Sequence, residues 1–149
     1  MSAEPCLHDV EYISILLREY DASYRYIDVR GKVVLDIGAD FGTSAFWFIA
    51  QGAQKVIAYD TYQNRIVHPK IEWHGKWNGE FVPADVLKID CEGCECLASP
   101  SFFEKYREAY IAIHEFAPCF NSLFPYLNST CHKIFVTEDG KETMFLCRK

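Results

Sequence analysis

The stretch VVLDIGADFG, residues 33–42, joins an apolar, β-branched run to two acids and two glycines. An apolar run without alternation predicts a strand that is buried on both faces, as in a parallel sheet. The following TSAFWFIAQG predicts a buried helix that is capped by Thr43 or Ser44. Because glycine carries no Cβ, Gly38 and Gly42 let the backbone turn sharply and approach a ligand closely. Strand, turn and helix in this order predict the ligand-binding edge of an α/β sheet.

Strands and helices alternate along the rest of the chain. Apolar residues at three- and four-residue steps predict an N-terminal helix over about residues 7–28. Three more strands, a short helix and a closing hairpin are predicted in KVIAYD at 55–60, DVLKID at 85–90, AYIAIHEF at 109–116, CFNSLFPYLNS at 119–129 and KIFVTEDGKETMFLC at 133–147. This alternation predicts a mostly parallel sheet with helices on both faces, to which the hairpin adds one antiparallel strand. Proline and glycine interruptions in residues 61–84 predict a shortened or irregular segment.

The length and the net charge of the chain disfavour several classes of function. Its 149 residues predict a single domain over residues 1–149. The formal net charge of −6 argues against a nucleic-acid partner, because proteins that bind nucleic acids usually present a basic face. No apolar run approaches the roughly 20 residues of a membrane span, and no secretory signal pattern is present. We therefore expect a cytoplasmic protein that does not associate with membranes.

The acids around the glycines indicate the ligand. The glycines are spaced G-x-x-x-G, whereas dinucleotide-binding loops use G-x-G-x-x-G and receive a pyrophosphate. Two carboxylates would repel a pyrophosphate but suit the ammonium and sulfonium groups of S-adenosylmethionine, so we favour this cofactor over NAD. An acid at the end of the second strand can accept both hydroxyls of a ribose. The predicted cofactor-binding half covers about residues 31–60, with Asp36, Gly38, Ala39, Asp40, Phe41, Gly42, Thr43 and Asp60 as the binding residues. A buried turn with incidental acids is the alternative.

Two motifs in the chain resemble a known family. VVLDIGADFGTSAFWFIAQGAQKVIAYD resembles the cofactor-binding half of class I S-adenosylmethionine-dependent methyltransferases. DVLKIDCEGCE, residues 85–95, resembles the LKIDVEGAE motif of the FkbM-type members, and the similarity covers about residues 31–116. The matching positions of this motif are Lys88, Ile89, Asp90, Glu92, Gly93 and Glu95. The resemblance implies a Rossmann-like, seven-stranded sheet, shortened here between the second and fourth strands, and O-methylation of a small-molecule or sugar hydroxyl.

The ends of the fourth and fifth strands hold the candidate catalytic residues. A hydroxyl nucleophile must lose its proton, which a carboxylate or a histidine can accept. We assign Asp90 or His114 as this base and Glu92 as a group that positions the substrate, and a structural role is the alternative for His114. The family usually ends its fifth strand in acid-x-His, whereas this chain has His114-Glu115. The rival function is a compact S-adenosylmethionine-fold module that binds without catalysis.

The chain has seven cysteines, which is an odd number. Without a signal for secretion, free thiols are the expected state, although some thermophilic intracellular proteins do form disulfides. Cys91, Cys94 and Cys96 follow a C-x-x-C-x-C pattern that can hold zinc or an iron–sulfur cluster, but no second pair completes a tetrahedral site. We predict reduced cysteines and no bound metal, although clustered acids at the strand ends can hold a divalent cation.

Overall fold

The chain folds around a seven-stranded sheet. The structure is a computed structural model, which describes the backbone of residues 7–149 and the side chains from residue 11 onward. The strands are β1 (Val33–Ile37), β2 (Lys55–Tyr59), β3 (Ile71–His74), β4 (Val86–Ile89), β5 (Glu108–His114), β6 (His132–Val136) and β7 (Glu142–Arg148). Their order across the sheet is β3-β2-β1-β4-β5-β7-β6. Only β7 runs antiparallel to its two neighbours. The predicted mostly parallel sheet with a C-terminal antiparallel hairpin is therefore confirmed.

Helices cover both faces of this sheet. They are α1 (Leu7–Ser23), α2 (Thr43–Ala50), α3 (Pro100–Phe103) and α4 (Phe120–Thr130), with 3-10 turns at Tyr24–Tyr26 and Cys94–Leu97. On one face α1 and α2 bury Tyr20, Tyr24 and Phe48 in one apolar cluster, and on the other α3 and α4 bury a second cluster. Among the described residues, no helix combines the length and the apolar character that crossing a membrane requires.

The first helix ends earlier than the apolar spacing predicts. Ser23 donates its hydroxyl hydrogen to the carbonyl of Glu19 at 2.7 Å, and the chain then tightens into the 3-10 turn. Tyr24 in this turn is 2% exposed and stacks on Tyr20 with ring centroids 4.7 Å apart. Because this ring is buried, the helix-like spacing of apolar residues continues past the end of α1. The spacing therefore predicts a helix that is longer than the one observed.

The prediction that Thr43 or Ser44 caps α2 is wrong. Gly42, with a φ of 111°, occupies the N-cap position, and no side chain caps the helix. Both hydroxyls make tertiary bonds instead: Ser44 donates to Asp36 at 2.6 Å, and Thr43 pairs with the Tyr20 hydroxyl at 2.9 Å. The start of α2 is therefore tied to β1 and α1.

Between β2 and β4 the chain forms one short strand, β3, and no helix. Parallel strands are normally joined by a helical crossover that covers one face of the sheet. Here Trp77, which is 3% exposed, fills part of that space and packs on Phe102 with ring centroids 5.3 Å apart. Its indole N–H donates to the carbonyl of Glu80 at 2.9 Å. The irregular segment predicted over residues 61–84 is thus an irregular connection that carries a single strand.

The prediction of reduced cysteines is wrong for the described residues. Three disulfides join Cys91 to Cys94, Cys96 to Cys119 and Cys131 to Cys147. The fold brings the second and third pairs together from 23 and 16 residues apart along the chain, a proximity that sequence spacing does not reveal. The default of free intracellular thiols also has an exception in hyperthermophilic archaea, whose intracellular proteins are rich in disulfides. Cys6 lies outside the described residues.

We expect loss of the Cys131–Cys147 bridge in a Cys131→Ala, Cys147→Ala double variant to lower the free energy of unfolding by about 3 kcal/mol. A cross-link of this loop length restricts the unfolded chain by about that amount. Guanidinium denaturation of the two proteins measures the difference. Alkylation of the denatured, unreduced protein is the direct check, and labelling of Cys131 or Cys147 at full occupancy would contradict the bridge.

Candidate functional site

The loop between β1 and α2 is held in a left-handed backbone conformation at three positions. Gly38, Asp40 and Gly42 have φ values of 82°, 58° and 111°. A Cβ added to Gly38 would lie 1.9 Å from the carbonyl oxygen of Asp90. Only glycine fits at this position, because the loop packs directly against the end of β4. The glycine-containing loop and the end of the β4 motif are therefore in direct contact.

Asp36 lies beneath this loop. Its side chain is fully buried, and the Nζ of Lys88 lies 2.8 Å from its Oδ1. The pair is close, but Oδ1 receives no aligned hydrogen bond, so the contact is chiefly an ion pair. Lys88 also donates to the carbonyl of Gly38 at 2.8 Å. Burial lowers the pKa of Lys88, but the charges of Asp36 and Asp90 outweigh it and raise that pKa. Asp36 is thus linked to the loop through Lys88, which it pairs with and which bonds the carbonyl of Gly38.

Asp60 connects the loop to the end of β2. Its Oδ2 accepts the N–H of Asp40 at 2.9 Å, and its Oδ1 accepts the N–H of Thr61 at 2.6 Å. An open pocket of about 390 Å³ lies beside this carboxylate and is lined by Asp60, Thr61, Tyr62, Gln63, Arg65 and Gly75. A carboxylate has about four lone-pair positions, so Asp60 retains capacity for further donors from this pocket.

The segment after β2 folds back over the loop. Ile66 donates its N–H to the carbonyl of Phe41 at 2.7 Å. A Cβ on Gly42 would lie 3.0 Å from side-chain atoms of both Ile66 and Trp73. From the other side, the Tyr12 hydroxyl donates to Asp40 at 2.9 Å, and burial together with Asp40 raises the pKa of Tyr12. The predicted binding residues Ala39, Gly42 and Thr43 are buried in the folded chain.

A second polar group lies at the ends of β4, β5 and β7, with His114 at its centre. His114 is 7% exposed, and its Nδ1 lies 3.0 Å from Oε1 of the fully buried Glu95. That carboxylate also accepts the backbone N–H groups of His114 and Gly93, at 3.1 and 2.9 Å. Because Glu95 is bonded as an acceptor on both oxygens, it holds the Nδ1 side of the imidazole and directs Nε2 the other way.

Two carboxylates face Nε2 of His114. Oδ1 of Asp90 lies 3.9 Å away and Oε1 of Glu142 lies 3.5 Å away. Tyr24 donates its hydroxyl hydrogen to the other oxygen of Asp90 at 3.3 Å. Burial and the charge of Asp90 raise the pKa of Glu142 to about 8. Burial lowers the pKa of His114, but its bond to Glu95 and the charge of Glu142 outweigh it and raise that pKa.

The structure brings two of the three predicted catalytic residues together and leaves the third apart. Asp90 and His114 share the cluster at the strand ends. Glu92 is exposed, and its charge is one of those that raise the pKa of the exposed Tyr62, which lines the pocket beside Asp60. Glu92 is therefore not among the residues that form the cluster or line the pocket.

Sequence reasoning missed Glu95 and Glu142 as members of the cluster. Glu95 is part of the LKIDVEGAE-like motif, so its place in a resembling motif was a usable signal. Glu142 has no such signal, because it lies in a hairpin strand that contains no recognisable motif. Pairing of β5 with β7 places it directly opposite His114.

Two viral proteins are similar to this chain over most of their length. Uncharacterized protein 65 of Sulfolobus islandicus filamentous virus (isolate Iceland/Hveragerdi) is 33% identical over 146 residues, covering 88% of this chain and 89% of its own. Uncharacterized protein 158B of Sulfolobus islandicus rod-shaped virus 1 is 34% identical over 141 residues, covering 86% of this chain and 89% of its own. No protein-family model matches the chain.

Solved structures share the fold at low sequence identity. A protein from Plasmodium falciparum, provisionally named a ribosomal RNA methyltransferase, superposes with a TM-score of 0.62 at 14% identity, covering 92% of this chain and 95% of that one. An S-adenosylmethionine-dependent methyltransferase from Mesorhizobium loti has a TM-score of 0.51 at 15% identity, with coverages of 85% and 63%. A protein from Lactococcus lactis, provisionally named a hemolysin, has a TM-score of 0.61 at 15% identity, with coverages of 88% and 83%.

These likenesses have two different consequences. The solved structures show the fold, which is that of class I S-adenosylmethionine-dependent methyltransferases, and the identities are too low to carry an activity across. The two viral proteins match in sequence over nearly the whole chain. The chain therefore belongs to the family of Sulfolobus virus proteins that includes Uncharacterized protein 65 and Uncharacterized protein 158B.

Proposed function

We propose that the protein is an S-adenosylmethionine-dependent methyltransferase that acts on a hydroxyl group of a small molecule or sugar. The observation that carries the proposal is the position of the Asp90–His114 cluster beside the β1–α2 loop, with Gly38 packed on the carbonyl of Asp90. A loop suited to the cofactor and a group suited to take a proton thus occupy one edge of the sheet, which is where α/β sheets bind their ligands.

The residues around the loop fit the cofactor. S-Adenosylmethionine is a cation that carries a ribose and an adenine, and, when bound, it supplies an electrophilic methyl group. Asp60 keeps lone pairs for the ribose hydroxyls, while Asp40 and the exposed Glu92 provide negative charge on the same side. The pocket beside Asp60, of about 390 Å³, lies within the usual range of about 300–1,000 Å³ for small-molecule sites.

His114 has the arrangement of a general base. With Nδ1–H donated to Glu95, the neutral imidazole keeps the lone pair of Nε2 available on the side of Asp90. A proton taken by Nε2 from an acceptor hydroxyl would produce an imidazolium that Glu95, hydrogen-bonded to Nδ1, stabilises. Nearby carboxylates raise the pKa of His114, which strengthens it as a base. Glu92 is the group that would position the acceptor.

Calorimetric titration with S-adenosylmethionine tests the cofactor assignment. We expect Asp60→Ala to weaken binding by about 1–3 kcal/mol, which is a factor of roughly 5 to 150, because charge-assisted hydrogen bonds contribute that much. Asp21→Ala, which removes an exposed acid of α1, is the matched control and should leave the affinity unchanged. Equal affinities of the Asp60→Ala variant and the unaltered protein would refute the ribose assignment, and preferential binding of NAD would refute the choice of cofactor.

The second candidate is a module that binds without catalysis. Ile66 and Trp73 approach Gly42 closely, and Ile66 is hydrogen-bonded to the loop, so part of the loop is covered by the chain itself. A segment that covers the loop is unfavourable for exchange of a cofactor at each turnover. Binding of S-adenosylmethionine without transfer to any acceptor would favour this candidate.

A further inference from the structure

Three ligand-bearing side chains converge at the ends of β4, β5 and β7. One atom each from Asp90, His114 and Glu142 lies within 4.8 Å of the other two. Nε2 of His114 is 3.9 Å from Oδ1 of Asp90 and 3.5 Å from Oε1 of Glu142. Both distances exceed the roughly 2.7–3.2 Å of a good hydrogen bond. Ligand atoms about 2.1 Å from a metal, at tetrahedral or octahedral angles, lie about 3.0–3.4 Å from one another. The two distances from Nε2 reach that spacing if each shortens by less than about 1 Å.

The histidine is oriented as a metal ligand would be. Histidines that bind metals usually donate their other ring N–H to a carboxylate, which fixes the ring and leaves one lone pair for the metal. Glu95 has this position, because its fully buried carboxylate lies 3.0 Å from Nδ1 of His114 and is itself held by the N–H of Gly93. Nε2 of a side chain that is 8% exposed is thereby aimed between two carboxylates.

No basic side chain other than His114 contacts the two carboxyl groups of the cluster among the described residues. Asp90 and Glu142 are two carboxyl groups that lie close together, with Nε2 of His114 near both. Lys88 is a buried cation nearby, but its ammonium group is engaged by Asp36 and by the carbonyl of Gly38. A divalent cation at the cluster would attract both carboxylates and would displace the proton that they otherwise share.

We propose that Asp90, His114 and Glu142 bind one divalent transition-metal cation of the Mn²⁺ type. One imidazole nitrogen and two carboxylate oxygens form a donor set that is harder than typical zinc sites and softer than the all-oxygen sites of magnesium and calcium. Binding of the cation is independent of the proposed function. The role of the cation in catalysis rests on that function: a cation bound to Nε2 would hold the acceptor oxygen and favour loss of its proton, in place of His114 acting as the base.

Mn²⁺ titration of the unaltered protein, without cofactor, tests the site by electron paramagnetic resonance and calorimetry. We expect one ion per chain, and we expect Glu142→Gln and Asp90→Asn to weaken binding at least tenfold. Glu95→Gln should weaken it by roughly 10- to 100-fold through the orientation of His114. Glu138→Gln is the matched control, since it removes an exposed acid of the same hairpin and should leave the affinity unchanged. Circular dichroism of each variant without metal checks that the fold is retained.

Several results would overturn the site. Absence of saturable binding at millimolar Mn²⁺ would do so, as would Glu138→Gln weakening the binding as much as Glu142→Gln, which would indicate diffuse attraction by acids. Competition of Zn²⁺ for the same single site would support it. S-Adenosylmethionine titration of the same proteins separates the two proposals: cofactor binding without Mn²⁺ binding refutes only the metal site, and Mn²⁺ binding without cofactor binding refutes only the proposed function.

Discussion

Asp90→Asn and His114→Gln are expected to lower the turnover of methyl transfer by roughly 10²–10⁴-fold while the affinity for S-adenosylmethionine stays unchanged. A positioned general base contributes about that much to a reaction whose nucleophile must lose a proton. Asp90 and His114 lie at the ends of β4 and β5, whereas Asp60, the proposed ribose ligand, lies at the end of β2. The two variants therefore alter the proposed acceptor side of the site and leave the ribose side unchanged. Transfer of a labelled methyl group to a panel of small hydroxylated acceptors measures the effect.

Two further variants sharpen this experiment. Glu92→Gln is expected to raise the KM of the acceptor or to lower kcat, depending on whether Glu92 only positions the substrate. Glu138→Gln changes the charge of the protein by the same amount outside the cluster and should retain full turnover. Full turnover in the Asp90, Glu92 and His114 variants would place the chemistry elsewhere. A methyl group transferred to RNA but to no small acceptor would refute the proposed substrate class.

Lys88→Met is expected to lower the free energy of unfolding by about 3–5 kcal/mol, because it leaves the carboxylate of Asp36 buried without a counter-charge. Asp36 is fully buried and its remaining polar partner is the hydroxyl of Ser44. Domains of this kind are stable by only about 5–15 kcal/mol, so the loss is a large share of the total. Denaturation in guanidinium, followed by circular dichroism, measures it.

Lys55→Met provides the comparison for this prediction. Lys55 lies 2.9 Å from Glu72, but both side chains are nearly half exposed, so removing the lysine should cost at most about 1 kcal/mol. Adding Asp36→Asn to Lys88→Met removes the buried charge and keeps an acceptor for Ser44, and it should restore most of the lost stability. Similar losses in the Lys88→Met and Lys55→Met variants would show that the buried pair has no special role.

Local patterns in the sequence account for most of the sheet. β1, β2, β4 and β5 are apolar runs, and the Asp139-Gly140 pair marks the turn between β6 and β7, so each has a signal that requires no knowledge of the fold. The short β3 within residues 61–84 has only a weak signal, because its alternation extends over four residues, in a connection that Pro69, Gly75 and Gly79 interrupt. The end of α1 was misplaced because Tyr24 is buried by a 3-10 turn at nearly helical spacing.

The candidate site could be predicted only in part, since several of its members are defined by tertiary contacts. Asp90 directly follows the apolar strand β4 and His114 ends the apolar strand β5, and these positions make them candidates. The ion pair of Asp36 with Lys88 depends on the pairing of β1 with β4. Cys96 and Cys119 pair across 23 residues, and their oxidation depends on the surroundings of the protein as well as on its sequence.

The insertion of β7 between β5 and β6 gives the protein a defined order of assembly. During synthesis Asp90 and His114 leave the ribosome before Glu142, and β5 has an open edge until β7 arrives. All seven residues of β5 pair with β7, and most of them are apolar, so an unpaired β5 would be a template for intermolecular strand pairing. Completion of the polar cluster and closure of an aggregation-prone edge are therefore one event, and a hairpin that docks slowly would delay activity and solubility together.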